Sequence, residues 1–293
     1  MIRFGPAGWD YPDWRGLVYP RPVPRGFDPL AYLSRWFDMV EVNSTFYRPQ
    51  RADVARRCCE RVAARPRFAL TAKLWRRFTH EREAYGADEV KVARRALDAL
   101  AAERRLGAVL AQFPWSFRRD AAAVEWLRDL FRALQGLPLV LEVRHASWNV
   151  PDTYAELAEQ GVGFVNLDQP LFRGSIQPSA VATARVGYVR VHGRNHRDWF
   201  REEAGRDARY DYLYSAEELA PWAERTSAIA AEPRVEDVYV VTNNHFEGKA
   251  VANAAMLRSL VEGRRVDAPP DVVRHFREAL APFVHEPARD LLL

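Results

Sequence analysis

Eight short apolar runs, most of them separated by a stretch long enough for a crossover, constrain this chain more than any other feature. They are Ile2 to Gly5, Met39 to Asn43, Phe68 to Lys73, Ala108 to Phe113, Pro138 to Arg144, Gly163 to Asp168, Gly187 to His192 and Asp237 to Asn244. The intervening segments place apolar residues three or four apart, the spacing of a helix with one buried face. Asp28-Pro29 joins an N-cap to the residue preferred at the first helical position and predicts a helix to about Asp38. Further helices are expected over Arg51 to Ala64, Asp88 to Leu106, Asp120 to Gln135, Pro151 to Gln160 and Lys249 to Val261. Ser215 and Glu218 form a capping box for one more, ending near Ala231. Strand, helix, strand in repetition requires a parallel sheet, and eight parallel strands close a barrel. The predicted fold class is therefore α/β: a single (β/α)8 TIM-type barrel over residues 1–293, with an irregular connection between strands 6 and 7 where Pro170, Gly174 and Pro178 break any helical pattern. The alternative, an open doubly wound sheet, is weakened because Gly5-Pro6-Ala7-Gly8-Trp9 lacks dinucleotide-binding glycine spacing.

The ends of these runs carry chemistry. Glu41 and Asn43, Lys73, Gln112, Glu142 and Arg144, Asp168, Arg190 and His192, then Asn243 and Asn244 occupy their tails. Alternate residues of a strand face opposite ways, so Glu41 pairs in parity with Asn43, Glu142 with Arg144, Asn166 with Asp168 and Arg190 with His192. Apolar Val40, Val42, Leu141, Val143, Val189 and Val191 belong against the helices, which turns the polar set inward at the carboxyl ends, where barrel enzymes do their chemistry. A purely structural ion-pair network is the competing explanation. It is disfavoured because buried ion pairs often stabilise no better than apolar replacements.

Composition sets limits on partners and location. No segment holds the roughly 20 apolar residues that span a bilayer, so no membrane association is expected. The first residues read directly as a strand with no signal-peptide pattern, and adjacent Cys58 and Cys59 are unsuited to a mutual disulfide, both of which point to the cytoplasm. Forty-three basic against 39 acidic residues make a mixed surface, so nucleic acid is a possible but unfavoured partner. Lysine is scarce, with only Lys73, Lys91 and Lys249, which makes a lysine at a strand end conspicuous.

Several strings go beyond periodicity. Gly8-Trp9-Asp10-Tyr11-Pro12-Asp13-Trp14-Arg15-Gly16, Val40-Glu41-Val42-Asn43-Ser44-Thr45-Phe46-Tyr47, Gln112-Phe113-Pro114, Glu142-Val143-Arg144-His145 with Trp148, Tyr188 to Arg194, Tyr210 to Ser215 and Asn243-Asn244-His245 resemble the YecE-like family, domain of unknown function 72. The resemblance implies a TIM-type barrel and no particular reaction, the family being named for lacking one. The segment after the sixth strand and the tail beyond Val266 carry little of the family's pattern.

Lys73, Arg144 and Arg190 on one rim suit an anionic small molecule, phosphorylated compounds included. The expected function is an enzyme, a hydrolase or isomerase, using acid/base chemistry. Glu41, Glu142, His192 and Asp168 are its candidate catalytic residues, while Asn43, Tyr47, Lys73, Gln112, Arg144, Trp148, Arg190, Tyr212, Asn243 and Asn244 are candidate substrate ligands. No cofactor is required. A divalent metal held by Glu142, Asp168, His192 and His245 is the second possibility, opposed by the neighbouring guanidinium groups. A third is a nucleic-acid-binding module built on Trp9, Tyr11, Trp14, Phe46, Tyr47, Trp75, Trp115, Trp148 and Trp199. His80, in the loop after the third strand, is expected at the surface, although it lies within reach of the pocket.

Overall fold

The computed structural model describes residues 1–199, 201 and 205–286. Its strands are β1 (Ile2–Pro6), β2 (Met39–Val42), β3 (Ala69–Lys73), β4 (Leu106–Gln112), β5 (Leu139–Glu142), β6 (Gly163–Asp168), β7 (Val186–Val191) and β8 (Asp237–Thr242). The helices are α1 (Pro29–Leu33), α2 (Ser44–Tyr47), α3 (Ala52–Arg61), α4 (Ala87–Ala102), α5 (Ala121–Ala133), α6 (Pro151–Glu159), α7 (Gly205–Ala208), α8 (Ala216–Ala231), α9 (Lys249–Glu262), α10 (Pro270–His275) and α11 (Arg277–Leu280).

The strands pair in parallel in the order β1-β8-β7-β6-β5-β4-β3-β2, and a helical segment follows every strand except β6. The result is a TIM-type (β/α)8 barrel, as the eight apolar runs predict. Its seam lies between β1 and β2, where Asp38 N donates to Phe4 O at 3.2 Å and Gly8 N donates to Glu41 O at 2.9 Å. Close approach at this seam requires glycine. A Cβ on Gly5 would lie 1.8 Å from the Met39 carbonyl oxygen, so any side chain there would force the two strands apart.

Local chemistry explains where the helices start. Asp28 accepts from Ala31 N and is gripped by Arg61 of α3, Asp120 accepts from Ala123 N, and the Ser215/Glu218 box closes the start of α8. The first helix stops at Leu33 rather than near Asp38, because the chain must turn down to bring Asp38 beside Phe4. Between β6 and β7 no helix forms. An extended connection is held instead by side-chain hydrogen bonds to β6, Asn166 Oδ1 accepting from Val181 N at 2.8 Å and Ser179 Oγ at 2.7 Å, while Thr183 Oγ1 accepts from Phe164 N.

Register decides which way the polar tails point, since partners across a parallel ladder face the same side. Glu41 lies beside Thr71, Lys73 beside Leu110, Gln112 beside Glu142, and Arg190 between Leu167 and Val241. These residues face the barrel interior. Asp168, however, is in register with Val191, on the outward face. The expected inward orientation of Asn166 and Asp168 is thus corrected: β6 presents Val165 and Leu167 to the interior and its polar residues to the outer layer. Among the described residues no helix is long and apolar enough to cross a membrane.

Candidate functional site

Arg190 stands at the hub of the interior. Its guanidinium donates to Glu41 Oε1 at 2.7 Å and Oε2 at 3.1 Å, to Glu142 Oε2 at 3.0 Å and to Asn243 Oδ1 at 3.1 Å. Tyr188 adds a hydroxyl donor to Glu41 Oε2 at 2.9 Å, and Arg144 donates to Glu142 Oε1 at 2.8 Å. Glu41 and Glu142 are fully buried, and every carboxylate oxygen has a donor. Burial alone would raise the Glu142 carboxyl, yet Arg190 and Arg144 hold it well below the usual range. Two carboxylates facing two guanidiniums leave this web close to neutral.

His192 hangs from the same web in a fixed tautomer. A guanidinium only donates, so the Asn243 atom facing Arg190 is oxygen, and its amide nitrogen then donates to His192 Nδ1 at 3.0 Å. Nε2 therefore carries the ring proton and points at Glu142 Oε1, 3.3 Å away. Burial, with Arg144 and Arg190 nearby, lowers the imidazole pKa to about 3. The ring is neutral at physiological pH and both nitrogens are occupied, an arrangement that positions neighbours but has no free valence for moving a substrate proton.

Lys73 is the exception in this balanced interior. Among the described residues its ammonium has no carboxylate partner, donating instead to Gln112 Oε1 at 2.7 Å and sitting 4.2 Å from the centroid of the Phe46 ring. Burial and Arg190, partly offset by Glu41 and Glu142, lower its pKa from 10.5 to about 7. The amine forms the floor shared by two adjoining cavities. One, of about 160 Å³, is lined by Tyr11, Asn43, Phe46, Tyr47, Lys73, Gln112, Arg190, Tyr210, Asn243 and His245. The other, of about 520 Å³, adds Arg76, His80, Pro114, Trp115, Arg144, Trp199 and Arg209 to the shared set. Among the described lining residues of both there is no aspartate or glutamate. Arg209 forms no ion pair among the described residues, whereas Arg76 is matched by Glu81 at 2.9 Å. Asn43 Oδ1 is buried beside the smaller cavity with no hydrogen-bond partner in the described structure.

The sequence candidates divide accordingly. Asn43, Tyr47, Lys73, Gln112, Arg144, Arg190 and Asn243 line the cavities, and Glu41, Glu142 and His192 lie directly beneath them. Asp168 is elsewhere, clamped by Nε and Nη2 of Arg194 at 2.8 and 2.9 Å, by Trp222 Nε1 at 3.1 Å and by the Tyr214 hydroxyl, with no oxygen left over for a substrate. Trp148 is core, its indole donating to Phe117 O at 2.8 Å. Tyr212 donates to Glu218, and Asn244 Nδ2 ties Tyr212 O to Asn253 Oδ1. Of the two adjacent asparagines, only Asn243 faces the interior.

Arg76 and Arg209 are cavity residues that sequence reasoning missed. Arginine is too common here to stand out, and Arg209 follows no strand end closely. His80 reaches the cavity rather than the surface, stacking edge-on against Phe46 at 4.8 Å, and burial plus Lys73 lower its pKa to about 4. The second possibility, a divalent metal, finds no donor set: among the described residues no three His, Cys, Asp or Glu side chains converge, Asp168 facing outward and His245 stacking on Tyr11 at 4.3 Å.

Three comparisons with known proteins bear on this geometry. The family model described as protein of unknown function DUF72 matches residues 3–275. A protein of Bacillus subtilis (strain 168), UPF0759 protein YunF, is 28% identical over 277 residues, which span 89% of this chain and 95% of that protein. A solved structure of a DUF72 family protein from Thermotoga maritima MSB8 is 32% identical and superposes with a TM-score of 0.77, covering 89% of this chain and 99% of that one. A second, from Enterococcus faecalis V583, shares the fold at 21% identity and a TM-score of 0.75, over 89% of this chain and 96% of that one.

Proposed function

This chain belongs to the family of proteins of unknown function DUF72, and on that premise we propose that its barrel mouth binds an anionic small molecule, a phosphorylated or carboxylated metabolite, and transfers a proton on it. One observation carries this reading: the described lining of the mouth offers Lys73, Arg76, Arg144 and Arg209 but no carboxylate. Fork-shaped guanidiniums suit phosphate and carboxylate oxygens. Beneath them the Glu41, Glu142, Arg190 and His192 web fixes Arg144 and sets the field around Lys73.

Lys73, rather than His192, is the group able to change charge near neutrality, and a pKa near the working pH is what general acid/base transfer needs. Isomerisation fits this better than hydrolysis. An amine can take and return a proton unaided, while hydrolysis calls for a second proton carrier, and Glu142 and His192 have no valence to spare. Phe46, Tyr47, Trp115, Trp199 and Tyr210 supply ring faces for the rest of the ligand. Tyr47, with 61% of its surface exposed, also favours the second reading, a nucleic-acid-binding module in which bases stack on these rings.

Titration of inorganic phosphate and of small sugar phosphates, followed by tryptophan fluorescence from Trp115 and Trp199, tests the first reading. Saturable binding that weakens about ten- to a hundredfold in Arg209→Ala, the worth of one charge-assisted hydrogen bond, supports it. Equal affinity for neutral sugars, or none for any anion, overturns it. Tighter binding of single-stranded oligonucleotides than of the small anions would move the assignment to nucleic acid.

A further inference from the structure

We infer that Lys73 is a covalent nucleophile, and that the ligand class of this site is an anion that also bears an aldehyde or ketone, held as an iminium on the Lys73 nitrogen. The inference rests on the anion-binding reading and narrows it, from simple base catalysis to a covalent step.

Geometry carries the argument. A nucleophilic lysine must be unpaired, accessible and flanked by groups that keep its nitrogen uncharged. Lys73 meets each condition. It stands at the floor of both cavities, and among the described residues its nitrogen donates to the neutral Gln112 amide and touches no carboxylate. Around it lie Arg190 from β7, Arg144 after β5 and His80 from the turn after β3, set against Glu41 of β2 and Glu142 of β5. Because the guanidiniums already balance the two acids, a charge on Lys73 is the surplus charge of the interior. Its loss near neutrality frees a lone pair directly below the guanidiniums that would hold the anionic end of the ligand.

The other two lysines lack this setting. Lys249 is held by Asp211 and by Glu247, the latter at 3.0 Å, which raise its pKa against burial and keep it protonated. Lys91 is exposed to water on α4. The step balances without any further reactant: the amine lone pair forms the C–N bond while the carbonyl π electrons move to oxygen. One amine proton passes to that oxygen to give the carbinolamine, and loss of water, with one proton taken from solvent, leaves the iminium.

The test uses the full chain with glyoxylate, the smallest anionic aldehyde, and with pyruvate, followed by cyanoborohydride reduction and peptide mass mapping. Tryptophan fluorescence is measured on the same samples before reduction. Expected is one reduced adduct, on Lys73, forming at least about tenfold faster than on Lys91 because an ordinary exposed lysine is almost wholly protonated at neutral pH. Its rate should rise with a midpoint near pH 7, and Lys73→Arg should give no adduct in the barrel. Saturable binding with no adduct on Lys73, or labelling spread evenly over Lys73, Lys91 and the amino terminus, overturns the covalent step and leaves the anion reading standing. Absence of saturable binding overturns both.

Discussion

Replacing Lys73 by methionine keeps the length of the side chain and removes only its charge and its hydrogen bond to Gln112. The consequence for stability depends on pH in a way that follows from the site. Folded, Lys73 loses its proton near pH 7; unfolded, it should do so near its ordinary 10.5. Between those values the unfolded chain carries one more proton than the native protein, so rising pH favours the fold, by up to about 1.4 kcal/mol per pH unit. From about pH 7.5 to 9.5 the gain reaches roughly 3 kcal/mol, an upper figure because water in the cavity screens the amine. Dividing by an unfolding entropy of about 0.6 kcal/mol/K for a chain of this size gives a melting-temperature rise of roughly 5 °C. Lys73→Met has no such proton to lose. The variant should therefore be the more stable of the two near pH 6.5, with the gap closing as pH climbs. Urea denaturation of both proteins across this range reads the difference directly, and titration of Cys58, Cys59 and the tyrosines cancels between them. Parallel stability curves would show that Lys73 keeps its proton like any surface lysine, and the reasoning about its role would fail with them.

Other outcomes follow from the same web. Glu142→Gln takes from Arg144 its only carboxylate among the described residues and leaves Arg190 with Glu41 alone, one uncompensated charge in the interior, and should cost about 3–5 kcal/mol, or roughly 5–8 °C in Tm; a change under 1 °C would show that the web is not closed. Asp168→Asn removes the charge clamped by Arg194, Tyr214 and Trp222 and should lower stability by about 2–4 kcal/mol while leaving phosphate affinity unchanged, so lost affinity at unaltered Tm would return Asp168 to the ligand site. Nitrogen NMR of His192 should report a neutral ring with the proton on Nε2 from pH 5 to 9, and a titration midpoint near 6.5 would contradict the Asn243 hydrogen-bond argument. Arg209→Ala should reduce phosphate binding with no change in Tm beyond about 1 °C, since Arg209 has no ion pair to lose among the described residues.

Much of the candidate site could be read from strand ends. Glu41, Lys73, Gln112, Glu142, Arg190 and Asn243 share the interior because they sit at the carboxyl ends of short apolar runs, and period-two alternation with Val40, Val189 and Val191 turns them inward. Asp168 obeyed the same pattern and went outward. Its strand, β6, is flanked by apolar residues on both faces, so alternation offers no choice of side, and pairing of Asp168 with Val191 settles it. Asn243 and Asn244 were equally ambiguous until the end of β8 was fixed. Arg76, His80 and Arg209 come from the connections that follow β3 and β7, whose path no local periodicity records.

The sequence by itself determined the parallel eight-stranded barrel and the rim on which its chemistry gathers. Crossover lengths, helix caps and alternation are local properties, each written within a few residues. Tertiary structure alone decided which titratable groups are spent. Glu41, Glu142 and His192 have the residue types of catalysts, but their valences are filled by Arg190, Arg144 and Asn243, residues brought from strands up to 149 positions away. Lys73 differs from them in its neighbours: Gln112 and the Phe46 ring stand beside its nitrogen and, among the described residues, no carboxylate does. A proton's affinity for a buried nitrogen depends on charges within a few ångströms in space, and no pattern along the chain encodes which charges those will be.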